Sequence, residues 1–126
     1  TMSRRSPYVQ GERDMHASDL GVTPDGRLLF VAVRDFIGDE DSIFGFRIED
    51  DGRLSKISRT PCGDIPWKLA LSPAADLLLV SESADQSLSI FRIEANGQLS
   101  LASSLDWDIS ARDMAVSAPA QAKERN

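Results

Sequence analysis

The sequence contains few of the residues that build disulfide-linked or metal-linked folds. Its 126 residues include one cysteine, Cys62, and one histidine, His16. A single cysteine excludes an intramolecular disulfide and a zinc site built on cysteine pairs. Because no histidine lies near Cys62 in sequence to activate its thiol, we expect a small packing residue in a turn or at a strand edge.

Long apolar segments and an excess of basic charge are also missing. No apolar run approaches the roughly 20 residues of a membrane-spanning helix, and Met2 to Arg5 leads into no apolar stretch of a secretory signal. We therefore expect a cytoplasmic protein with no membrane partner. Lys and Arg total 14 against 20 Asp and Glu, a net charge of −6. This balance argues against a nucleic-acid partner, because phosphate backbones bind positive charge.

The sequence does contain an internal repeat. Residues Val22 to Val31, which include a Thr-Pro-Asp-Gly turn, align with Leu71 to Val80 at a separation of 49 positions. Farther along, Ile43 to Glu49 aligns with Leu88 to Glu94 at a separation of 45 positions. The first copy therefore has extra residues between its second and third strands, and a third copy begins near Met114.

Each copy is predicted to form four short strands joined by hairpins. Turns such as Asp51-Gly52 and Asn96-Gly97 supply the positive φ that tight hairpins require, and apolar residues alternate along the third strand. Four antiparallel strands at a period of about 45 residues, without helical spacing, are typical of β-propeller blades. The predicted strands span residues 20–23, 28–34, 42–49 and 54–60, then 68–72, 77–83, 87–94 and 99–105.

We therefore predict an all-β fold with two four-stranded antiparallel propeller blades plus the first strand of a third. Residues 1–15 are predicted to be either a disordered lead or, through Pro7 to Gln10, an outer strand. The other predicted boundaries are 16–61 for the first blade, 62–106 for the second, 107–117 for the inner strand of the third, and 118–126 for a frayed tail.

Charged residues that interrupt the strand pattern collect on one side of the predicted blades. The Asp-Gly turns lie on the other side, because strand direction alternates within a blade. Inner strands of a propeller line a central channel, so the charged side would present converging side chains to a ligand. The catalytic candidates are Arg34, His16 and Glu82, and the substrate-binding candidates are Asp19, Trp67, Lys68 and Arg112.

Each candidate also has a structural alternative. We favour a functional role for Arg34, because an arginine that ends an apolar strand can hold a carboxylate or phosphate with two parallel hydrogen bonds. His16 is either a base near neutral pH or a packing residue. Glu82 is either a catalytic carboxylate or the partner of a nearby base, and Trp67 either lines the channel or packs between blades. The acidic residues 39–41 are expected to be a solvated loop tip rather than a metal site, since calcium prefers six to eight oxygens.

The residues from Ala17 to Val31, followed by Arg34 and by Ser42 to Phe46, resemble the lactonase-type propellers, which include 6-phosphogluconolactonase and carboxy-muconate cyclase. The resemblance covers roughly residues 16–117. It implies a seven-bladed, cofactor-free enzyme that hydrolyses or forms a sugar or muconate lactone. Arg34 falls on the arginine of the family's Asn-Arg pair.

This sequence departs from the family pattern at four positions. Val33 replaces the asparagine before the family's arginine, and Gly21 replaces the usual histidine. Trp67 replaces an arginine that the third copy keeps as Arg112, and Glu82 replaces a polar amide. The resemblance still implies a site for an anionic substrate around the channel.

We therefore expect part of a lactonase, resembling the C-terminal third of the family's propellers. By resemblance it is a hydrolase of an anionic sugar lactone, of the 6-phosphogluconolactonase type, and incomplete alone. The alternative is a non-catalytic blade module that binds a partner or self-associates through its open blade edges. This alternative has a physical basis, because each blade leaves strand edges and an apolar face open until neighbours cover them.

Overall fold

The computed structural model describes residues 15–36, 38 and 40–118, and within them it contains strands and no helix. No helix in that part of the chain is therefore long and apolar enough to cross a membrane. The eight strands are β1 Met15–Val22, β2 Leu28–Asp35, β3 Ser42–Ile48, β4 Leu54–Pro61, β5 Pro66–Leu71, β6 Leu77–Glu82, β7 Ser87–Ile93 and β8 Leu99–Asp106.

The strands form two four-stranded antiparallel sheets, in the orders β1-β2-β3-β4 and β5-β6-β7-β8. The predicted all-β fold with two blades is therefore confirmed. Seven strands agree with the prediction to within two residues at each end, but β1 begins at Met15, five residues before the predicted start. The residues from Met15 to Asp19 are mostly polar, so the sequence shows no strand pattern there. Their pairing with β2 identifies them as strand.

The repeat extends to the irregularities of the strands. The register of β1 against β2 shifts at Ser18, and that of β5 against β6 shifts at Trp67, which lies 49 positions later. A second pair of bulges lies at Ile57 in β4 and at Ala102 in β8, and these two residues are 45 positions apart. A bulge turns the bulged strand and redirects its side chains, so each blade redirects equivalent residues.

The two blades pack through one apolar cluster. The first blade contributes Phe30, Ala32 and Ile43, which are fully buried, and the second contributes residues of β5, β6 and β7. A Cβ at Gly45 would lie 2.8 Å from the Ser58 hydroxyl and 3.4 Å from the Phe30 ring. Glycine at position 45 therefore lets the Phe30 ring and the Ser58 hydroxyl lie close to the backbone of β3. The cluster residues of the second blade are Leu69, Leu78, Val80 and Phe91.

Polar contacts join the blades at the end of the sheets that lies opposite the Asp-Gly turns. The Asp19 carboxylate accepts a hydrogen bond from the backbone N–H of Leu69 at 2.9 Å. The Ser18 hydroxyl donates to the Pro66 carbonyl at 2.7 Å. The Asp41 carboxylate accepts from the N–H of Ile65 at 2.6 Å. These three bonds hold Ile65 and the first residues of β5 against the first blade.

The inner strand predicted over residues 107–117 is not formed as a strand. A β-strand needs a hydrogen-bonded neighbour, and the other strands of a third blade are not part of this sequence. The segment instead contacts the second blade: Ser81 donates to the Ala111 carbonyl at 3.3 Å, and Ser110 donates to the Ser83 carbonyl at 2.8 Å. Apart from Met15 and Ala118, the predicted lead and tail lie outside the described residues.

Candidate functional site

Arg34 lies near the end of β2, on the side opposite the Asp-Gly turns. Its guanidinium carbon, Cζ, lies 5.5 Å from the ring centroid of Phe36 and 5.5 Å from that of Trp67. Its Nε is buried and has no hydrogen-bond partner. Among the described residues, no carboxylate forms an ion pair with it. Arg34 is therefore a cation held by aromatic rings, with a donor still unused.

Trp67 connects Arg34 to a second cation. The Cζ atom of Arg112 lies 5.3 Å from the Trp67 ring centroid, so side chains from two blades and from the segment after β8 meet at one indole ring. Trp67 is the bulged residue of β5. The tertiary structure thus brings together three residues that the sequence singled out separately.

His16 belongs to the same group of residues. It is the ladder partner of Arg34 across β1 and β2, and its ring lies 5.2 Å from that of Phe36, edge to face. We call Arg34, Trp67, Arg112, Phe36 and His16 the Arg34 cluster. Phe36 was not predicted as a site residue, although an aromatic that directly follows the strand of Arg34 is a signal that could have found it.

Asp19 and Lys68 form a chain of charges beside this cluster. Lys68 Nζ lies 3.6 Å from Asp19 Oδ2 and 3.8 Å from Asp113 Oδ1. The three residues occupy equivalent positions of the repeat, so opposite charges alternate from one copy to the next. Both predicted binding residues are therefore engaged in joining the units.

The hydrogen-bond partners of the Glu82 carboxylate lie outside the Arg34 cluster. Its side chain is 1% exposed, and its Oε2 accepts a hydrogen bond from the N–H of Gly63 at 2.7 Å. Its Oε1 accepts from the hydroxyls of Ser87 at 2.7 Å and Ser89 at 2.9 Å. These bonds account for the burial of a carboxylate, so we leave Glu82 out of the proposed site.

The loop after β4 passes beside Glu82. A Cβ at Gly63 would lie 2.6 Å from Glu82 Cδ, so glycine is needed where the backbone N–H approaches the carboxylate. Burial raises the pKa of the neighbouring Cys62 thiol, and the negative charges of Glu82 and Asp41 raise it further. Cys62 is therefore a protonated packing residue rather than a nucleophile.

The loop between β2 and β3 contains the predicted acidic tip. Asp41 is buried, and its two oxygens accept hydrogen bonds from the N–H groups of Asp35 and Ile65. Glu40 lies 3.5 Å from Arg59, and Asp39 lies outside the described residues. Within the part of the chain that the structure describes, no three histidine, cysteine or acidic side chains are grouped as metal ligands.

Comparison with known proteins identifies the family. The profile of the family "Lactonase, 7-bladed beta-propeller" matches residues 1–108. The chain belongs to this lactonase family. The matched range includes the fourteen residues before β1, where the internal repeat gave no signal, and it ends before Arg112.

Individual relatives of this lactonase-family chain agree with that assignment. It is 31% identical over 87 residues to a 6-phosphogluconolactonase of Formosa agariphila. The aligned region covers 68% of this chain and 24% of the relative. A putative 6-phosphogluconolactonase of Bacteroides fragilis has a solved structure with a TM-score of 0.63 and 25% identity, over 68% of this chain and 24% of that one.

A third relative supports the fold alone. The periplasmic gluconolactonase of Pseudomonas aeruginosa superimposes with a TM-score of 0.68 at 23% identity, over 82% of this chain and 28% of that one. The lactonase-family chain therefore spans about a quarter of the length of the relatives that it matches.

Proposed function

We propose that this chain carries part of the substrate site of a lactonase, in which Arg34 binds the carboxylate or phosphate of an anionic sugar lactone. The observation that carries the proposal is the buried, unpartnered Nε of Arg34 beside Trp67 and Arg112. A buried N–H donor left without a partner costs about 1–3 kcal/mol. An anion with two acceptor oxygens would supply that partner.

The surroundings of Arg34 favour an anionic ligand over a structural ion pair. Aromatic rings hold the guanidinium by cation–π contact, which orients it without neutralising its charge. By contrast, Lys68 and Arg59 are each within 4 Å of carboxylates. Arg34 and Arg112 thus provide the positive charge that an anionic substrate needs, in a chain whose net charge is −6.

The proposed reaction is hydrolysis of the lactone ester. Water attacks the carbonyl carbon, the bond from that carbon to the ring oxygen breaks, and the ring oxygen receives a proton to give a hydroxy acid. His16 is the member of the cluster that can accept the proton from water and return it to the ring oxygen. Because the chain spans a quarter of its relatives, we propose that it binds substrate and that efficient turnover requires further blades.

The proposal is tested first by binding. We expect 6-phosphogluconate, the stable product, to bind the chain in a calorimetric titration, and Arg34→Ala to weaken binding roughly 10- to 100-fold, as expected for loss of a charge-assisted hydrogen bond. Arg53→Ala is the matched control, because Arg53 lies on the turn side in an exposed pair with Asp51.

Hydrolysis is measured next, with 6-phosphogluconolactone as the substrate. The rate of its spontaneous hydrolysis without protein is subtracted. A rate above background that falls in Arg34→Ala but not in Arg53→Ala would support the proposed reaction. The proposal fails if the chain does not bind 6-phosphogluconate at millimolar concentration, or if the two arginine variants bind it equally well.

A further inference from the structure

Two contacts hold the backbone around Arg112 against the second blade, one on each side of that residue in sequence. The carbonyl of Ala111 accepts a hydrogen bond from the Ser81 hydroxyl at 3.3 Å. On the other side, Asp113 Oδ1 lies 3.8 Å from Lys68 Nζ. Arg112 itself is exposed. The chain is therefore anchored immediately before and after an exposed guanidinium.

The Ser81 hydroxyl also binds the residue that follows Trp67. It accepts a hydrogen bond from the backbone N–H of Lys68 at 3.2 Å, and Lys68 is its ladder partner across β5 and β6. One oxygen atom thus joins the residue after Trp67 to the residue before Arg112. Ser81 is fully buried, so this link is shielded from water.

The junction between the two blades contains the same kind of link. Pro66 is equivalent to Ala111 in the repeat, because the two lie 45 positions apart. The Pro66 carbonyl accepts a hydrogen bond from the hydroxyl of Ser18 at 2.7 Å. In both places a serine of one copy therefore fixes the carbonyl at the start of the next copy.

The serine that makes this link changes strands between the two copies. Ser18 is the bulged residue of β1, and its equivalent in β5 is Trp67. Ser81 lies on the neighbouring strand, and its equivalent in the first copy is Ala32. Where an indole occupies the bulge, the adjacent strand supplies the hydroxyl instead. The second copy thus combines an aromatic ring at the bulge with the link to the next copy.

We propose that Ser81 is a positioning residue of the lactone site, which holds Arg112 at the Trp67 ring that Arg34 also contacts. It acts through the backbone of Ala111 and does not touch the substrate. An arginine whose backbone is already fixed loses less freedom when it binds an anion, so it binds more tightly. This role rests on the proposed function of the Arg34 cluster.

Binding of 6-phosphogluconate tests the positioning role. Arg112→Ala removes the cation and should weaken binding about tenfold or more. Ser81→Ala should weaken it about two- to tenfold, because the arginine must then be ordered during binding. The double variant should bind no more weakly than Arg112→Ala alone, since Ser81 acts through Arg112. Alanine fits at position 81, because the equivalent Ala32 is fully buried in the first blade.

A serine two positions away provides the matched control. The Ser83 hydroxyl donates to the Ile65 carbonyl at 3.2 Å, so Ser83→Ala removes a hydrogen bond of the same blade without releasing the Ala111 carbonyl. We expect Ser83→Ala to bind 6-phosphogluconate as tightly as the original chain.

The fluorescence of Trp67 gives a second readout that needs no ligand. All variants carry Trp107→Phe, which leaves Trp67 as the single tryptophan; Trp107 Nε1 has no hydrogen-bond partner to lose. Acrylamide should quench Trp67 more strongly in Arg112→Ala, because the guanidinium no longer covers the ring. Ser81→Ala should increase quenching in the same way, and Ser83→Ala should not.

The two readouts distinguish failure of this role from failure of the substrate site. If no variant binds 6-phosphogluconate but Ser81→Ala and Arg112→Ala increase quenching alike, the substrate proposal fails and the positioning of Arg112 by Ser81 stands. Unchanged quenching in Ser81→Ala would overturn the positioning role. Additive losses of affinity in the double variant would also overturn it, because Ser81 would then act independently of Arg112.

Discussion

The Trp67 ring centroid lies 5.5 Å from the guanidinium carbon of Arg34, although the two residues belong to different blades. This contact orients a cation that lacks a carboxylate partner among the described residues. We predict that Trp67→Leu weakens binding of 6-phosphogluconate about fivefold, because a cation–π contact contributes about 0.5–1 kcal/mol or more. Trp67→Phe should retain most of the affinity, since it keeps an aromatic face.

The Trp67 prediction is checked by titration calorimetry together with urea unfolding of both variants. A loss of affinity in Trp67→Leu at unchanged stability would support an orienting role. Equal affinities for Trp67→Leu and Trp67→Phe would instead mean that the indole only fills space between the blades.

Asp41 should be important for stability rather than for binding. Its carboxylate accepts hydrogen bonds from the backbone N–H groups of Asp35 and Ile65, at 2.7 Å and 2.6 Å. Asp41→Asn replaces one acceptor oxygen with an NH₂ group that would face an N–H donor, so we expect the free energy of unfolding to fall by about 1–3 kcal/mol. Asp50→Asn, at an exposed turn position, should change it by less than about 0.5 kcal/mol. Urea denaturation measures both, and equal midpoints would contradict the prediction.

The turn between β5 and β6 contains a strained alanine. Ala75 has φ 58°, and it occupies the place of Gly26, which has φ 73° in the first copy. A left-handed conformation costs an L-residue with a Cβ roughly 1–2 kcal/mol. Ala75→Gly relieves this strain, but glycine also makes the unfolded chain more flexible, which lowers stability. We therefore expect a net rise in the free energy of unfolding of up to about 1 kcal/mol.

The neighbouring alanine provides the control for Ala75→Gly. Ala74 is exposed, and its φ is not positive, so Ala74→Gly relieves no strain and should lower stability slightly. Thermal unfolding of the two single variants distinguishes them. The strain argument fails if Ala75→Gly and Ala74→Gly shift the midpoint in the same direction by the same amount.

Cys62 should make stability depend on alkaline pH. Burial raises the pKa of its thiol, so the folded state keeps a proton that the unfolded chain loses when pH exceeds the ordinary thiol value. The free energy of unfolding should therefore fall as the pH rises past that value. Cys62→Ala should lack this component, and the folded thiol should react slowly with a disulfide reagent until the protein is unfolded. Rapid labelling of the native protein would contradict this prediction.

Most of the secondary structure could be predicted from local features of the sequence. Strands and turns are indicated by short-range patterns, which can be recognised without knowledge of the fold. Examples are the alternation along Phe44, Gly45 and Phe46 in a strand, and glycines such as Gly52 in a turn. The repeat then extended each prediction to the second copy. The bulges at Ser18 and Trp67 also occupy equivalent positions of the repeat, but no local pattern in the sequence marks either residue as the place where the register shifts.

The sequence by itself determined the two four-stranded units and which side of the strands carries the charged residues, because hydrophobic period and turn chemistry are short-range properties. Only the tertiary structure decided that Trp67 meets Arg34 and Arg112, that Glu82 is bound by Gly63 and two serines, and that residues 107–117 form no strand. These outcomes depend on contacts between residues far apart in the chain, and on which neighbouring strands are present to pair.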